Sequence, residues 1–222
     1  MTQPEPSDVR GAYDAVARAY DARFTHELDG KPLERALLAA FVELAGSGVI
    51  ADVGCGPGHI TRFLADHGAD VLGIDLAPAM IDIARQHAPA LPFIVGSMLE
   101  LPVADAAWAG AVALSSIIHL SDSDRARACH ELGRAIRPNG WLLVSFHVES
   151  AEFAAGEVNH LTSFLGHAVE LDGYFLGPGL VRAQLVDAGF QVTAQLEREP
   201  IPDGEYPSRR CYLLAQRKPA TP

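Results

Sequence analysis

Cysteine is scarce and scattered. Cys55, Cys129 and Cys211 are the only three, an odd number at wide spacing, which fits neither a disulfide framework nor paired metal ligands. A reducing compartment is the simplest reading. Lysine is scarcer still, at Lys31 and Lys218 alone, and no Tyr-x-x-x-Lys stands anywhere, so a lysine-assisted hydride site has nothing to work with. Cations as a whole are outnumbered, 17 Lys and Arg against 28 Asp and Glu, for a formal net charge of -11. That field repels a phosphate backbone, so no nucleic-acid partner is expected, and the short basic cluster Arg209, Arg210, Arg217 and Lys218 is taken as a solvated face. No uninterrupted apolar run reaches about 18 residues, and Met1 to Arg10 carries Pro, Glu and Asp without an apolar stretch. Neither a membrane span nor a signal peptide is expected, and the chain is placed in the cytoplasm with no membrane partner. Histidines and carboxylates do not converge at ligand spacing, so no metal is expected. Repeats and low-complexity tracts are absent as well.

What is present is a chain of 222 residues, 49% hydrophobic, long enough for a three-layer core and short enough for one domain over 1–222. Gly11 to Phe24 reads as a weakly amphipathic helix, and 1–30 as a helical cap outside the sheet. Pro32 opens a helix whose buried face is expected at Leu33, Leu37, Phe41 and Leu44, ended by Gly46. Val49 to Val53 is a short apolar strand, followed by Gly54-Cys55-Gly56-Pro57-Gly58 and a helix through Ile60, Phe63 and Leu64. Val71 to Asp75, Phe93 to Val95, Trp108 to Ser115 and Trp141 to Phe146 continue the strand series. A helix opens at Pro78; another is capped by Ser121, buries Ala126, Cys129, Leu132 and Ile136, and stops at Arg137-Pro138-Asn139-Gly140. Five strands alternating with helices predict an α/β, three-layer, doubly wound, Rossmann-like fold. The sheet is expected to be mostly parallel, of about seven strands, with a final antiparallel strand among those near Phe190 to Leu196 and Cys211 to Gln216. Residues 147–176, with mixed polarity and no clear period, are expected to form a lid or substrate wall inserted after the fifth strand.

A glycine turn between strand and helix brings backbone amides and a positive helix end to a ligand, which by itself is generic. The dinucleotide pattern G-x-G-x-x-G fails here, because His59 holds the last position. Asp52-Val53-Gly54-Cys55-Gly56-Pro57-Gly58 instead closely resembles the first motif of class I S-adenosylmethionine-dependent methyltransferases, an acid followed by Gly-x-Gly-x-Gly. Gly73-Ile74-Asp75-Leu76-Ala77-Pro78-Ala79-Met80 is similar to the family's second block, and the likeness runs from about Tyr13 to Phe146.

The resemblance implies S-adenosylmethionine as cofactor, with S-adenosylhomocysteine as product and no metal. It places Asp52, Gly54, Cys55, Gly56 and Gly58 around the amino-acid end, with Tyr20 closing over the carboxylate. Asp75 would take both ribose hydroxyls, Leu76 and Met80 would cover adenine, and Ser97, Met98 and Leu99 would flank the ring, with Ser115 closing the fourth strand. Ser97 departs from the family, which often carries Asp there. His119 and His147 lie past the fourth and fifth strands, where an imidazole could act as general base for a hydroxyl acceptor. Glu149, Tyr174 and Phe175 are candidates for the acceptor pocket. The expected activity is in-line methyl transfer to a small, partly apolar molecule by a monomer or homodimer. The alternatives are a non-catalytic protein that binds S-adenosylmethionine or S-adenosylhomocysteine and, further off, a nicotinamide-dependent oxidoreductase.

Overall fold

The computed structural model describes residues 8–202 and 204–219; the expected lack of a leader at Met1 to Ser7 falls outside them. Nine strands and six α-helices are present among the described residues. The first five strands are β1 (Val49–Val53), β2 (Asp70–Asp75), β3 (Phe93–Val95), β4 (Trp108–Leu114) and β5 (Ile136–Ser150). They are followed by β6 (Val158–Phe164), β7 (His167–Tyr174), β8 (Phe190–Arg198) and β9 (Ser208–Arg217). Seven strands form one sheet in the order β3-β2-β1-β4-β5-β9-β8. The first five run parallel, and β9 runs antiparallel to both of its neighbours.

The apolar runs are explained by burial on two faces. Along β4, Ala111 and Ala113 join one core cluster and Val112 the other; along β5, Leu142 and Val144 face one side and Leu143 the opposite one. A strand covered by helices above and below has no polar face to show. Strand order reverses between β1 and β4, which opens a crevice at their carboxyl ends.

Helix α1 (Val9–Phe24) is capped by Asp8, whose Oδ1 accepts from the Gly11 amide at 2.9 Å. It buries Ala12, Val16 and Ala17 on one face, packing on Val169 and Leu171 of β7 and on Ala77 and Met80. Asp14 accepts from the Ala79 amide in the first turn of α4 (Pro78–His87), placing a carboxylate at a helix N-terminus.

Two expectations need correction. In α2 (Pro32–Ala45) the inward stripe is Glu34, Leu38, Phe41 and Ala45, with Leu33 and Leu44 exposed, because Glu34 turns in toward Arg198 and Tyr212. Helix α5 (Asp122–Ala135) ends before Ile136, and the expected stop Arg137 to Gly140 lies inside β5. Asn139, at φ 64°, takes up the irregularity there, and Ile136 is buried as a strand residue. Residues 147–176, expected as an insertion after the fifth strand, hold the end of β5 and an antiparallel hairpin, β6–β7, docked on α1. The remaining helices, α3 (His59–Asp66) and α6 (Pro178–Asp187), pack against β2 and β8 respectively.

Candidate functional site

Gly54 turns the chain at the end of β1 with φ +80°, and a Cβ there would meet Ser116 Cβ at 2.4 Å. Glycine is therefore required by space as well as by conformation. The turn hangs from β2, with the Gly54 and Cys55 amides donating to the Ile74 carbonyl, and the Gly56 amide donating to Asp75 Oδ2 at 2.8 Å. Asp75 Oδ1 accepts from the Ala77 amide at 2.9 Å. Each carboxylate oxygen thus keeps a lone pair free for a further donor. Burial raises the Asp75 pKa against the pull of those amides.

Asp52 lies buried under the turn and accepts from Thr61 Oγ1 at 2.7 Å. Burial pushes it up to about 6, with the Thr61 bond opposing. Cys55 is buried and its thiol is raised by burial, which leaves it unreactive.

Two cavities meet over this turn. The first, about 510 Å³, is lined by Asp75, Leu76, Met80, Ser97, Met98 and Leu99. The second, about 320 Å³, is lined by Asp52, Cys55, His147, Phe164, Phe175 and Tyr206, among others. Tyr13, Tyr20, Gly54, Gly56, Ser115, His119 and Tyr174 border both. Ser115 holds φ 52°, a left-handed conformation, with its amide anchored on the Ser145 carbonyl and hydroxyl. Such local strain is stored where the surroundings fix it.

At this junction the Tyr13 hydroxyl and His119 Nε2 are 2.7 Å apart, and His119 Nδ1 lies 2.7 Å from the Asp172 carbonyl. A carbonyl only accepts, so Nδ1 carries the hydrogen and the neutral ring's Nε2 accepts from Tyr13. Burial lowers the His119 pKa, against the Asp172 bond, and raises that of Tyr13. His147 Nδ1 sits 2.5 Å from Ser208 Oγ, and burial together with the Arg210 charge brings it down to about 3.

Most of the residues singled out from sequence therefore converge on the paired cavities. Two do not. Gly58 caps α3 at φ +80°, and its missing Cβ makes room for Phe93 and Ala84, so it serves packing and lines neither cavity. Glu149 pairs with Arg209 at 3.1 Å, half exposed and outside both cavities, because the longer β5 carries it away from the crevice. Tyr13 and the charged wall around Glu34 and Glu205 were missed; their partners lie far off in sequence, and only the Tyr-Asp repeat at Tyr13 and Tyr20 hinted at the first.

Among the described residues no group of three or more His, Cys, Asp or Glu is arranged to hold a metal ion, and no helix is long and apolar enough to cross a membrane.

Residues 50–140 match a family described as a methyltransferase domain. The chain is 33% identical over 153 residues to a malonyl-[acyl-carrier protein] O-methyltransferase of Serratia marcescens, covering 69% of this chain and 55% of that protein. It therefore spans just over half the length of that relative. Over 187 residues it is 28% identical to a magnesium-protoporphyrin O-methyltransferase of Rhodobacter capsulatus, covering 78% of this chain and 81% of that one. Among solved structures, a [4+2]-cyclase, SpnF, superposes with a TM-score of 0.74 at 18% identity, over 99% of this chain and 98% of its own. That likeness shows the fold alone, and the fold does not fix the chemistry.

Proposed function

Because the chain belongs to the class I S-adenosylmethionine-dependent methyltransferases, we propose that it transfers the cofactor's methyl group to a small molecule held in the second cavity. The observation that carries this reading is the shared border of the two cavities. A displacement of this kind needs donor and acceptor atoms roughly 3–3.5 Å apart, and a common opening between two enclosed sites provides such a meeting point.

The residues present fit the cofactor. Asp75 has unused lone pairs on both oxygens for vicinal hydroxyls, Leu76, Met80 and Met98 offer apolar surface to a base, and the buried Asp52 carboxylate suits an ammonium. Ser97 Oγ already accepts from the Leu99 amide at 3.1 Å, which leaves its hydroxyl proton for the ring's edge. When bound, the cofactor supplies a methyl group already activated on a sulfonium. The protein's part is to align the acceptor and to exclude water, and alignment accounts for about 7–11 kcal/mol in favourable cases.

For a hydroxyl acceptor, the proton leaves through Tyr13. Both His119 nitrogens are engaged, so the acceptor's proton passes to the Tyr13 oxygen while the Tyr13 proton moves to His119 Nε2. His147, with a pKa near 3, holds a proton poorly at neutral pH and orients the acceptor instead of deprotonating it.

Calorimetry with S-adenosylhomocysteine and with NAD, followed by incubation of labelled S-adenosylmethionine with a small-metabolite extract, tests the proposal. Binding of the first ligand only, and a discrete labelled product, are expected. Failure to bind S-adenosylhomocysteine refutes the reading, and binding without any labelled product favours a sensor over an enzyme.

A further inference from the structure

The far wall of the second cavity is a lattice of charges drawn from three distant segments of the chain. Glu27 accepts from Lys31 Nζ at 2.6 Å and from His59 Nε2 at 2.8 Å. Glu205 takes Arg198 at 2.5 Å and Arg210 at 2.9 Å, with Lys31 at 3.6 Å. Glu34 Oε1 accepts from the Tyr212 hydroxyl at 2.5 Å and from Arg198. Three cations thus face three carboxylates. Burial alone would raise Glu27 and Glu205, but their hydrogen bonds and charged neighbours outweigh it and hold both at about 2, so each stays ionised and keeps its cations occupied.

What this wall has left over on its cavity side is a buried acceptor; Arg198 Nε, also without a partner among the described residues, belongs to a side chain that does not line the cavity. Glu34 is only 5% exposed and lines the cavity, yet its Oε2 has no partner among the described residues. His59, also buried and lining the cavity, has no partner at Nδ1. Its Nε2 carries hydrogen, because the Glu27 carboxylate can only accept, and Nδ1 is left to pair with a ligand. Aromatic rings supply much of the rest of the chamber, Phe164, Phe175, Tyr206 and Tyr212, with Phe175 stacked on Phe153 at 5.1 Å between centroids, beside the polar Ser145, His147 and Asn159.

A buried carboxylate oxygen without a donor is unfavourable, and a ligand that brings one relieves it. A carboxylate ligand would instead lose its hydration beside three carboxylates, Glu34, Glu27 and Glu205, each of which already holds one or more of the neighbouring cations. We infer that this wall recognises a hydrogen-bond-donating group, a phenolic hydroxyl or an ammonium, on a compact apolar acceptor, and discriminates against carboxylates. The inference rests on the second cavity being the acceptor site.

The test uses full-length protein saturated with S-adenosylhomocysteine and three probes of one skeleton: 4-ethylphenol, 2-phenylethylamine and 3-phenylpropionate. Calorimetry or saturation-transfer NMR should rank the phenol, the amine or both at least about tenfold tighter than the carboxylate. Glu34→Gln, with its fold checked by circular dichroism and its S-adenosylhomocysteine affinity retained, should weaken the amine by about tenfold and the phenol less. The better-binding probe identifies which donor the wall prefers. Equal or tighter binding of the carboxylate, or no probe binding at millimolar concentration, overturns the inference. The wild-type ranking decides the matter even where Glu34→Gln does not fold. S-adenosylhomocysteine binding is measured first, so its absence counts against the proposed function, whereas a reversed ranking with that binding intact counts only against the donor specificity.

Discussion

A single buried carboxylate, Asp52, sets stability against the binding role proposed for it. Asp52 has a pKa of about 6 in the folded chain against 3.8 for the free side chain, so the folded state holds its proton more firmly. Stability from that difference is present at low pH and is lost as pH rises through about 6, amounting to roughly 3 kcal/mol of penalty above it. Asp52→Asn keeps an oxygen for Thr61 and removes the buried charge. It should raise the melting temperature at neutral pH while weakening S-adenosylmethionine binding, and a scanning fluorimetry and calorimetry pair would show both. A lower melting temperature would mean that Asp52 is better compensated than its surroundings indicate. Tyr13→Phe removes one hydroxyl and leaves His119 Nε2 buried without a donor, so about 1–3 kcal/mol of stability should go with it. If Tyr13 carries the acceptor's proton, turnover should fall well beyond any change in cofactor affinity, and the solvent isotope effect on turnover should change. Equal turnover in the two proteins would remove Tyr13 from the chemistry.

Among the elements, the hairpin β6–β7 and helix α1 depend on one another. Ala12 and Val16 from the helix meet Val169 and Leu171 from the hairpin, in a small cluster separate from the two main core clusters. Leu171→Ala should cost about 2–3 kcal/mol locally. It should speed hydrogen exchange in α1 while leaving β1, β4 and β5 protected; uniform loss of protection would mean that the cluster is part of the main core. The same elements mark where the sequence stops being informative. The units β1–α3 and β2–α4 were legible because buried apolar runs end in glycine or proline at the turn. The hairpin was read less well: β7 alternates, with Val169 and Leu171 buried and the residue between them exposed, but β6 buries no residue fully, so only one of the paired strands carries a clear period of two. Pro138 and Gly140 read as a helix stop, whereas in the fold they occupy an irregular start of β5. The cofactor-side residues were readable for a related reason: Asp52, Gly54, Gly56 and Asp75 act through neighbours a few positions away or one strand over. Glu34 and Arg198 stand 164 positions apart, and Tyr13 and His119 stand 106 apart, beyond any local pattern.

For the whole molecule, pH sets opposing demands. His147 titrates near 3 when folded and near 6.5 when free, so the unfolded chain binds the extra proton first and stability declines as pH falls from about 6.5 toward 3. Between pH 6.5 and about 5 this amounts to about 2 kcal/mol, partly offset by Asp52, whose contribution has the opposite sign. His147→Gln should therefore lose less stability than the wild type over that interval in urea titrations, and parallel losses would contradict the assignment. The charged lattice behind the acceptor cavity has a different consequence. Most of its members come from 27–34, 198–205 and 210–212, with His59 from just after the glycine turn, whose acids are Asp52 and Asp75. On the proposed reading, the residues that would hold the methyl donor follow the consecutive early strands β1 and β2, and most of those that would face the recipient lie on or near α2, β8 and β9, with β9 paired to β5. On that reading, recipient preference can change through substitutions at 27–34 and 198–212 that leave Gly54, Gly56 and Asp75 as they are.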